Sequence, residues 1–341
     1  MPLDPALITL QPSWTHLPPS IDDPLQFRQL SQKAQDEGFD DFTLPGPDVA
    51  MRHVAQIGSG GETFNAVIYW PQSKGPHPVH VFLHGGGWTI GSAFSRDSEA
   101  ASRDRCVRGD CIVVSLDYRK APEHPYPAPV QDLLHAIEWI TDLYEDLGAL
   151  PGAITAGGQS SGANIVAAAT LALRDEGRDL IRHQILEVPV LDLSHSIPRD
   201  QGDELPLSLS DVHTFSAIYL NGQDPNDPLA SPLLARDLRG LPAAYIAVAE
   251  HDVLRIDGEQ YADRLTAAGV ETRLYLGRGH VHMSPSMTRV LSSARDWQKE
   301  TTKELVRANA QLRAAAGQLL SHNPQLEPMA SWGQALRSSG G

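Results

Sequence analysis

Short runs of apolar and β-branched residues recur along the chain at 65–70, 79–83, 111–116, 153–156, 185–191, 244–249 and 272–276. Each has the length and composition of a strand. Helical patterns separate several of them. In 131–147, Leu133, Ile137, Ile140, Tyr144 and Leu147 recur three or four residues apart and share one face. Residues 163–173 form a second helical run of small and apolar side chains. Strand followed by helix, repeated, predicts an α/β architecture: a mostly parallel sheet with helices on both sides.

Two regions break the alternation. Residues 1–50 are rich in Pro, Asp and Gln among scattered Leu, Phe and Trp, and 194–226 carry Pro, Asp and Ser around an apolar patch at 215–220. Both predict surface elements over one edge of the core. The Ala- and Leu-rich stretch 303–320 predicts a helix ahead of a polar, Gly-ended tail. That helix can pack on the core or on a second copy of the chain, as a homodimer.

Composition narrows the function classes. With 341 residues, 41% of them hydrophobic, the chain can bury a large core. Its 27 basic and 42 acidic residues give a formal charge of −15, which repels nucleic acid and the anionic face of a membrane. No apolar run is long enough to span a bilayer, so stable membrane insertion is not expected. Cys106 and Cys111 are too few for a disulfide framework, and the first thirty residues lack the pattern of a secretory signal. Two reduced thiols in a cytoplasmic protein is the reading, with Cys111 as core packing at the start of a strand.

The sharpest chemical signal is Gly158-Gln-Ser-Ser-Gly162, between the strand 153–156 and the helical run 163–173. A nucleophile elbow needs that strand-turn-helix setting. Residues two before and two after its serine crowd each other, so glycine belongs at both places. Ser160 has Gly158 and Gly162 as flankers, whereas Ser161 has Gln159 and Ala163, so Ser160 is the candidate nucleophile. The second signal is His84-Gly-Gly-Gly-Trp88 after the strand 79–83. Its glycines leave backbone N–H groups unobstructed, as an oxyanion hole requires. A loop N–H joins that of the residue after the nucleophile in this arrangement, so the candidate donors are Gly86, Gly87 and Ser161.

An acid and then a histidine should follow in chain order. Asp252 follows the strand 244–249 and His282 follows 272–276, with Glu250 and Asp257 as rival acids and His280 as the rival base. The His280-Val-His282 pair has no carboxylate or Cys at ligand spacing, so no metal site is expected. No cofactor is expected either.

These residues resemble the hormone-sensitive-lipase-like family of α/β-hydrolase carboxylesterases, known for a His-Gly-Gly-Gly oxyanion motif. The similarity runs from about residue 60 to 290 and includes Asp117-Tyr-Arg-Lys-Ala-Pro-Glu-His-Pro-Tyr-Pro-Ala128, Ser231-Pro-Leu-Leu-Ala235 and Ala249-Glu-His-Asp-Val-Leu-Arg255. The resemblance implies the α/β-hydrolase fold with a helical cap, Ser160 as nucleophile, Asp252 as acid, and His282 as base within Gly279-His-Val-His282. It also implies the domain division: an N-terminal cap segment over 1–50, a catalytic domain over 51–300 with a cap insert at 194–226, and a C-terminal helix and tail over 301–341. The implied activity is hydrolysis of small or medium, fairly apolar carboxylic esters through an acyl-enzyme. An amide, formamide or specialised acyl substrate is the alternative. A non-catalytic receptor of the same fold, as the family contains, is a further one.

The sequence departs from the family pattern at Gln159, Ser161, Ala163 and Met283-Ser284, which bears on the shape of the acyl pocket. Trp88, Gln159, Phe215, Tyr219 and Met283 are the candidate substrate-binding residues, with Trp14 and Phe27 as further candidates for an apolar wall. Packing of the cap onto the core is the competing role for these aromatics.

Overall fold

The computed structural model describes residues 2–10, 23–59, 61–199 and 205–322. Trp14 and the polar tail fall outside them.

Among the described residues, eight strands form one sheet: β1 (Met51–Ser59), β2 (Glu62–Trp70), β3 (His77–Leu83), β4 (Ile112–Asp117), β5 (Ala149–Gln159), β6 (His183–Glu187), β7 (Ala243–His251) and β8 (Thr272–Val281). The spatial order is β1-β2-β4-β3-β5-β6-β7-β8. Only β2 runs against its neighbours; β4, β3 and β5 to β8 are parallel throughout. All seven residues of β3 are buried, as a parallel strand covered on both faces requires. His80 sits within that strand because its Nδ1 meets Thr155 Oγ1 at 2.9 Å.

The helices are α1 (Pro5–Leu10), α2 (Pro24–Phe42), α3 (Arg96–Gly109), α4 (Ala128–Asp142), α5 (Tyr144–Leu147), α6 (Ser161–Asp175), α7 (Leu209–Leu220), α8 (Arg255–Ala267) and α9 (Ser292–His322). On one face of the sheet, α4, α6 and α8 bury Leu133, Ile137, Val166 and Leu265 in the main core. On the other, α3 and α9 contribute Cys106, Trp297 and Leu305 to a second core with Val113 and Ile185. The α/β-hydrolase architecture expected from the sequence is the one observed. The helix α2 and the helix α7 fall within the two segments read as cap.

Several boundaries differ from the sequence reading. The strand expected over 185–191 ends at Glu187, because Val188 turns to a φ of 42° and leaves the sheet. The helical run 131–147 is broken at Leu143, whose φ of −116° separates α4 from α5. The helix expected over 303–320 begins at Ser292, and it packs on the core through Trp297 and Leu305. The strand β1 and the helix α3 carry no strong sequence signal. The former is an edge strand, mostly exposed, paired only with β2, and the latter presents a mixed polar face rich in Arg and Asp.

Candidate active site

Where β5 meets α6, Ser160 adopts φ 54° and ψ −117°. That conformation is unfavourable for a residue with a side chain, and such strain gathers at functional sites. The surroundings hold it there. The Ser160 N–H donates to Glu187 O at 2.8 Å, and Ser160 O accepts from Asn164 N–H at 3.1 Å as the first turn of α6 closes. The turn is too tight for larger flankers: a Cβ on Gly158 would stand 2.4 Å from the Gly162 carbonyl carbon, and one on Gly162 would stand 2.4 Å from Leu83 O.

Parallel strands deliver the next two residues to the same edge. Asp252 directly follows β7 and His282 directly follows β8. His282 Nε2 lies 2.9 Å from Ser160 Oγ, and His282 Nδ1 lies 2.7 Å from Asp252 Oδ2. With the proton on Nδ1, the ring donates to the carboxylate and accepts the serine hydroxyl. The Asp252 side chain is 1% exposed, and its second oxygen accepts from Leu254 N–H at 2.9 Å. A buried carboxylate fixed from both sides can hold one ring orientation.

The rival residues are engaged elsewhere. His280 is buried beside Trp297, with Nδ1 2.7 Å from Ser284 Oγ. Glu250 accepts the Gly279 N–H at 2.7 Å. Asp257 is wholly buried and accepts two hydrogen bonds from Arg199, both partners being 0% exposed.

The glycine turn after β3 completes the site. Gly86 and Gly87 have φ values of 119° and 57°. Among the described residues, neither their N–H groups nor that of Ser161 donates to a protein acceptor. Because a peptide group is planar, fixing a carbonyl aims the N–H of the next residue the opposite way. Gly85 O accepts from His84 Nδ1 at 2.7 Å, which orients the Gly86 N–H. Gly86 O accepts from Thr89 N–H at 3.1 Å and Ile90 N–H at 2.9 Å, which orients the Gly87 N–H. Burial, with Lys120 adding to it, pushes His84 down to about 4, so this ring stays neutral.

Sequence reasoning assigned no role to Tyr118. Its hydroxyl donates to His84 O at 3.1 Å, and its ring stacks on the His84 ring at 4.3 Å. The Asp117-Tyr118-Arg119 run was the available signal. The candidate pocket residues separate into two sets. Phe215, from α7, lies against the glycine turn so closely that a Cβ on Gly87 would stand 2.3 Å from its Cγ. Met283 follows His282 and is half exposed, and Gln159 precedes Ser160 at intermediate burial. Trp88 and Tyr219, in contrast, are buried and stacked face to face at 4.2 Å. They back the wall behind the glycine turn and present no open surface. Phe27 is partly buried in α2.

A groove of about 690 Å³ lies between α2 and the segments at Gly91, Ser92, Asp117 and Lys120. None of Ser160, Asp252 or His282 lines it, so the hydrogen-bonded side chains, and not this groove, define the site. No three His, Cys, Asp or Glu side chains among the described residues are grouped as for a metal ion. No helix among the described residues is long and apolar enough to cross a membrane.

A Ser-His-Asp constellation at the C-terminal edge of a mostly parallel sheet marks the α/β hydrolases. The family described by the alpha/beta hydrolase fold matches residues 80–285, and the chain belongs to it, within the hormone-sensitive-lipase-like carboxylesterase group. Carboxylesterase NlhH of Mycobacterium tuberculosis is 40% identical over 214 residues, covering 61% of this chain and 66% of that protein. Carboxylic ester hydrolase LipN of the same organism is 41% identical over 247 residues, 69% of this chain and 65% of that protein. The match thus spans just under two thirds of both relatives. A hyperthermophilic esterase from Pyrobaculum calidifontis superposes with a TM-score of 0.84 at 29% identity, covering 90% of this chain and 99% of that one.

Proposed function

We propose that this protein is a serine esterase that hydrolyses small or medium, fairly apolar carboxylic esters through Ser160, His282 and Asp252. The observation that carries the proposal is the unbroken hydrogen-bonded path from Ser160 Oγ through His282 to Asp252, next to three unengaged N–H groups. The carboxylesterase and esterase relatives support the same reaction class.

Ser160 Oγ attacks the ester carbonyl while His282 Nε2 takes its proton. The N–H groups of Gly86, Gly87 and Ser161 receive the negative oxygen of the tetrahedral intermediate. Its collapse expels the alcohol, which takes the proton back from His282 and leaves an acyl group on Ser160. Water, deprotonated by His282, then attacks the acyl carbonyl and releases the acid and the free serine. Asp252 holds the ring in one tautomer and stabilises its cation. Phe215, Met283 and Gln159 border this chemistry, while Trp88 and Tyr219 set the wall from behind. The two buried free thiols support a reducing, cytoplasmic setting, and the net charge of −15 supports a small-molecule substrate over nucleic acid.

The test is hydrolysis of p-nitrophenyl esters with acyl chains of graded length by wild type and Ser160→Ala together. Wild-type turnover that falls at least about a thousandfold in the variant is expected. Substantial turnover by purified Ser160→Ala overturns the assignment.

A further inference from the structure

Arg28 stands far from Ser160 in sequence, on a cap helix that no motif includes. Its guanidinium is nevertheless nearly saturated. Nε donates to Thr89 O at 2.6 Å, Nη2 donates to Ala121 O at 2.8 Å, and Nη1 and Nη2 each meet a Glu123 oxygen at 2.7 Å. The pairing with Arg28 holds the Glu123 carboxyl below the usual carboxylate range. A fork of donors that satisfies a carboxylate and two main-chain carbonyls at once has few alternative geometries.

Both carbonyls belong to the frame of the oxyanion turn. The Thr89 N–H donates to Gly86 O, and Thr89 Oγ1 donates to Gly87 O at 3.1 Å. The Ala121 N–H donates to Trp88 O at 3.0 Å, closing a ring of contacts from 86 to 89, across to 121, and back through Arg28. Gly86 O shares its peptide plane with the Gly87 N–H, so a tilt at Thr89 turns that donor away from the reacting oxygen. We infer that Arg28 is a positioning residue: through Thr89 and Ala121 it makes the N-terminal cap helix α2 part of the scaffold that aims the oxyanion hole.

The inference deepens the esterase reading and rests on it for its kinetic consequence, while its structural consequence does not need activity. The Arg28→Gln variant should lose roughly tenfold to a hundredfold in kcat with KM changed by no more than about twofold, since small displacements of a preorganised site are felt mainly in the transition state. Its affinity for a trifluoromethyl ketone, which forms a tetrahedral adduct on serine, should fall by the same factor. Amide exchange over 85–91 should quicken even if no ester is found to be a substrate. Glu123→Gln keeps both carbonyl contacts and should stay near wild type.

A matched control comes from the same helix. Asp40 of α2 accepts two hydrogen bonds from Arg96 of α3, an exposed pair that bonds to none of residues 85–91. Asp40→Ala should leave kcat and the exchange of 85–91 unchanged. Wild-type kcat and wild-type exchange in Arg28→Gln, or an equal loss in Asp40→Ala, overturns the inference in favour of general cap docking. An absence of turnover in wild type, with quickened exchange in Arg28→Gln, counts against the esterase reading and for the positioning role.

Discussion

At the C-terminal edge of the sheet, the backbone places the functional groups. Ser160 is held at a positive φ by the approach of Gly158 to Gly162, and Asp252 and His282 each stand directly after the last residue of a parallel strand. Elsewhere, α2, α7 and the segment before α7 are held by side chains that reach across long stretches of sequence. Arg28 clips α2 to Thr89 and Ala121, Tyr219 of α7 stacks on Trp88, and Arg199 pairs with Asp257 at the first turn of α8. Main-chain geometry constrains nearby residue types and so leaves a local signature. A clip between distant side chains leaves none, although it is equally specific in the folded protein.

Two histidines at the end of β8 test whether backbone placement selects the base. His282→Ala should reduce kcat by at least about a thousandfold, in keeping with the losses on removing a triad base. His280→Ala should retain much of the turnover and show its loss in stability instead, because that ring is packed beside Trp297 and bonded to Ser284. Steady-state kinetics on both variants, with thermal unfolding alongside, gives the answer. A turnover collapse confined to His280→Ala would mean that backbone placement does not select the base.

A second prediction tests the side-chain half. Arg199→Leu leaves the Asp257 carboxylate buried without its partner, and breaking such a pair destabilises by about 3–5 kcal/mol. The double variant Arg199→Leu, Asp257→Asn should recover part of the loss, since both charges are gone while the amide oxygen still accepts the Leu191 and Asp192 N–H groups. Urea unfolding of wild type, single and double variants measures both effects. A single variant as stable as wild type would show that this buried pair does not anchor the segment before α7 to α8.

The parts legible in the sequence follow the same division. The central strands announce themselves because burial on both faces makes them continuous apolar runs, as in β3. The elbow and the glycine turn are legible because only glycine fits the close approaches there. Chain order and strand position favoured Asp252 and His282 but left Asp257 and His280 as rivals, because each pair lies in one short segment; in the fold it is Asp252 and His282 that make the hydrogen-bonded path to Ser160. The edge strand β1 was missed because just one of its described side chains, Ile57, is counted in the core. The aromatics Trp88 and Tyr219 have the composition of a pocket, and only the fold shows that they spend their faces on each other.

A smaller effect is one of pH, and it sets buried His84 beside partly buried His195. Burial brings His84, under the glycine turn, down to about 4, and burial, with His213 of α7 and Arg199 beside it, brings His195 to about 4 as well; Asp192 opposes the latter shift. A histidine whose folded value lies below its ordinary 6.5 takes up its proton first in the unfolded chain. Its neutral form therefore contributes fully to stability above about pH 6.5, and that contribution is lost as the pH falls from there toward 4. At pH 5.5 the loss expected from wholly buried His84 is about 1 kcal/mol. Urea unfolding between pH 7.5 and 4.5 should show falling stability in wild type and a shallower fall in His84→Asn, whose absolute stability at pH 7.5 is lower because the contacts to Gly85 and Tyr118 are gone. His195→Gln should flatten the profile less, since that ring is only partly buried. Equal slopes in wild type and His84→Asn would locate the acid sensitivity away from the glycine turn.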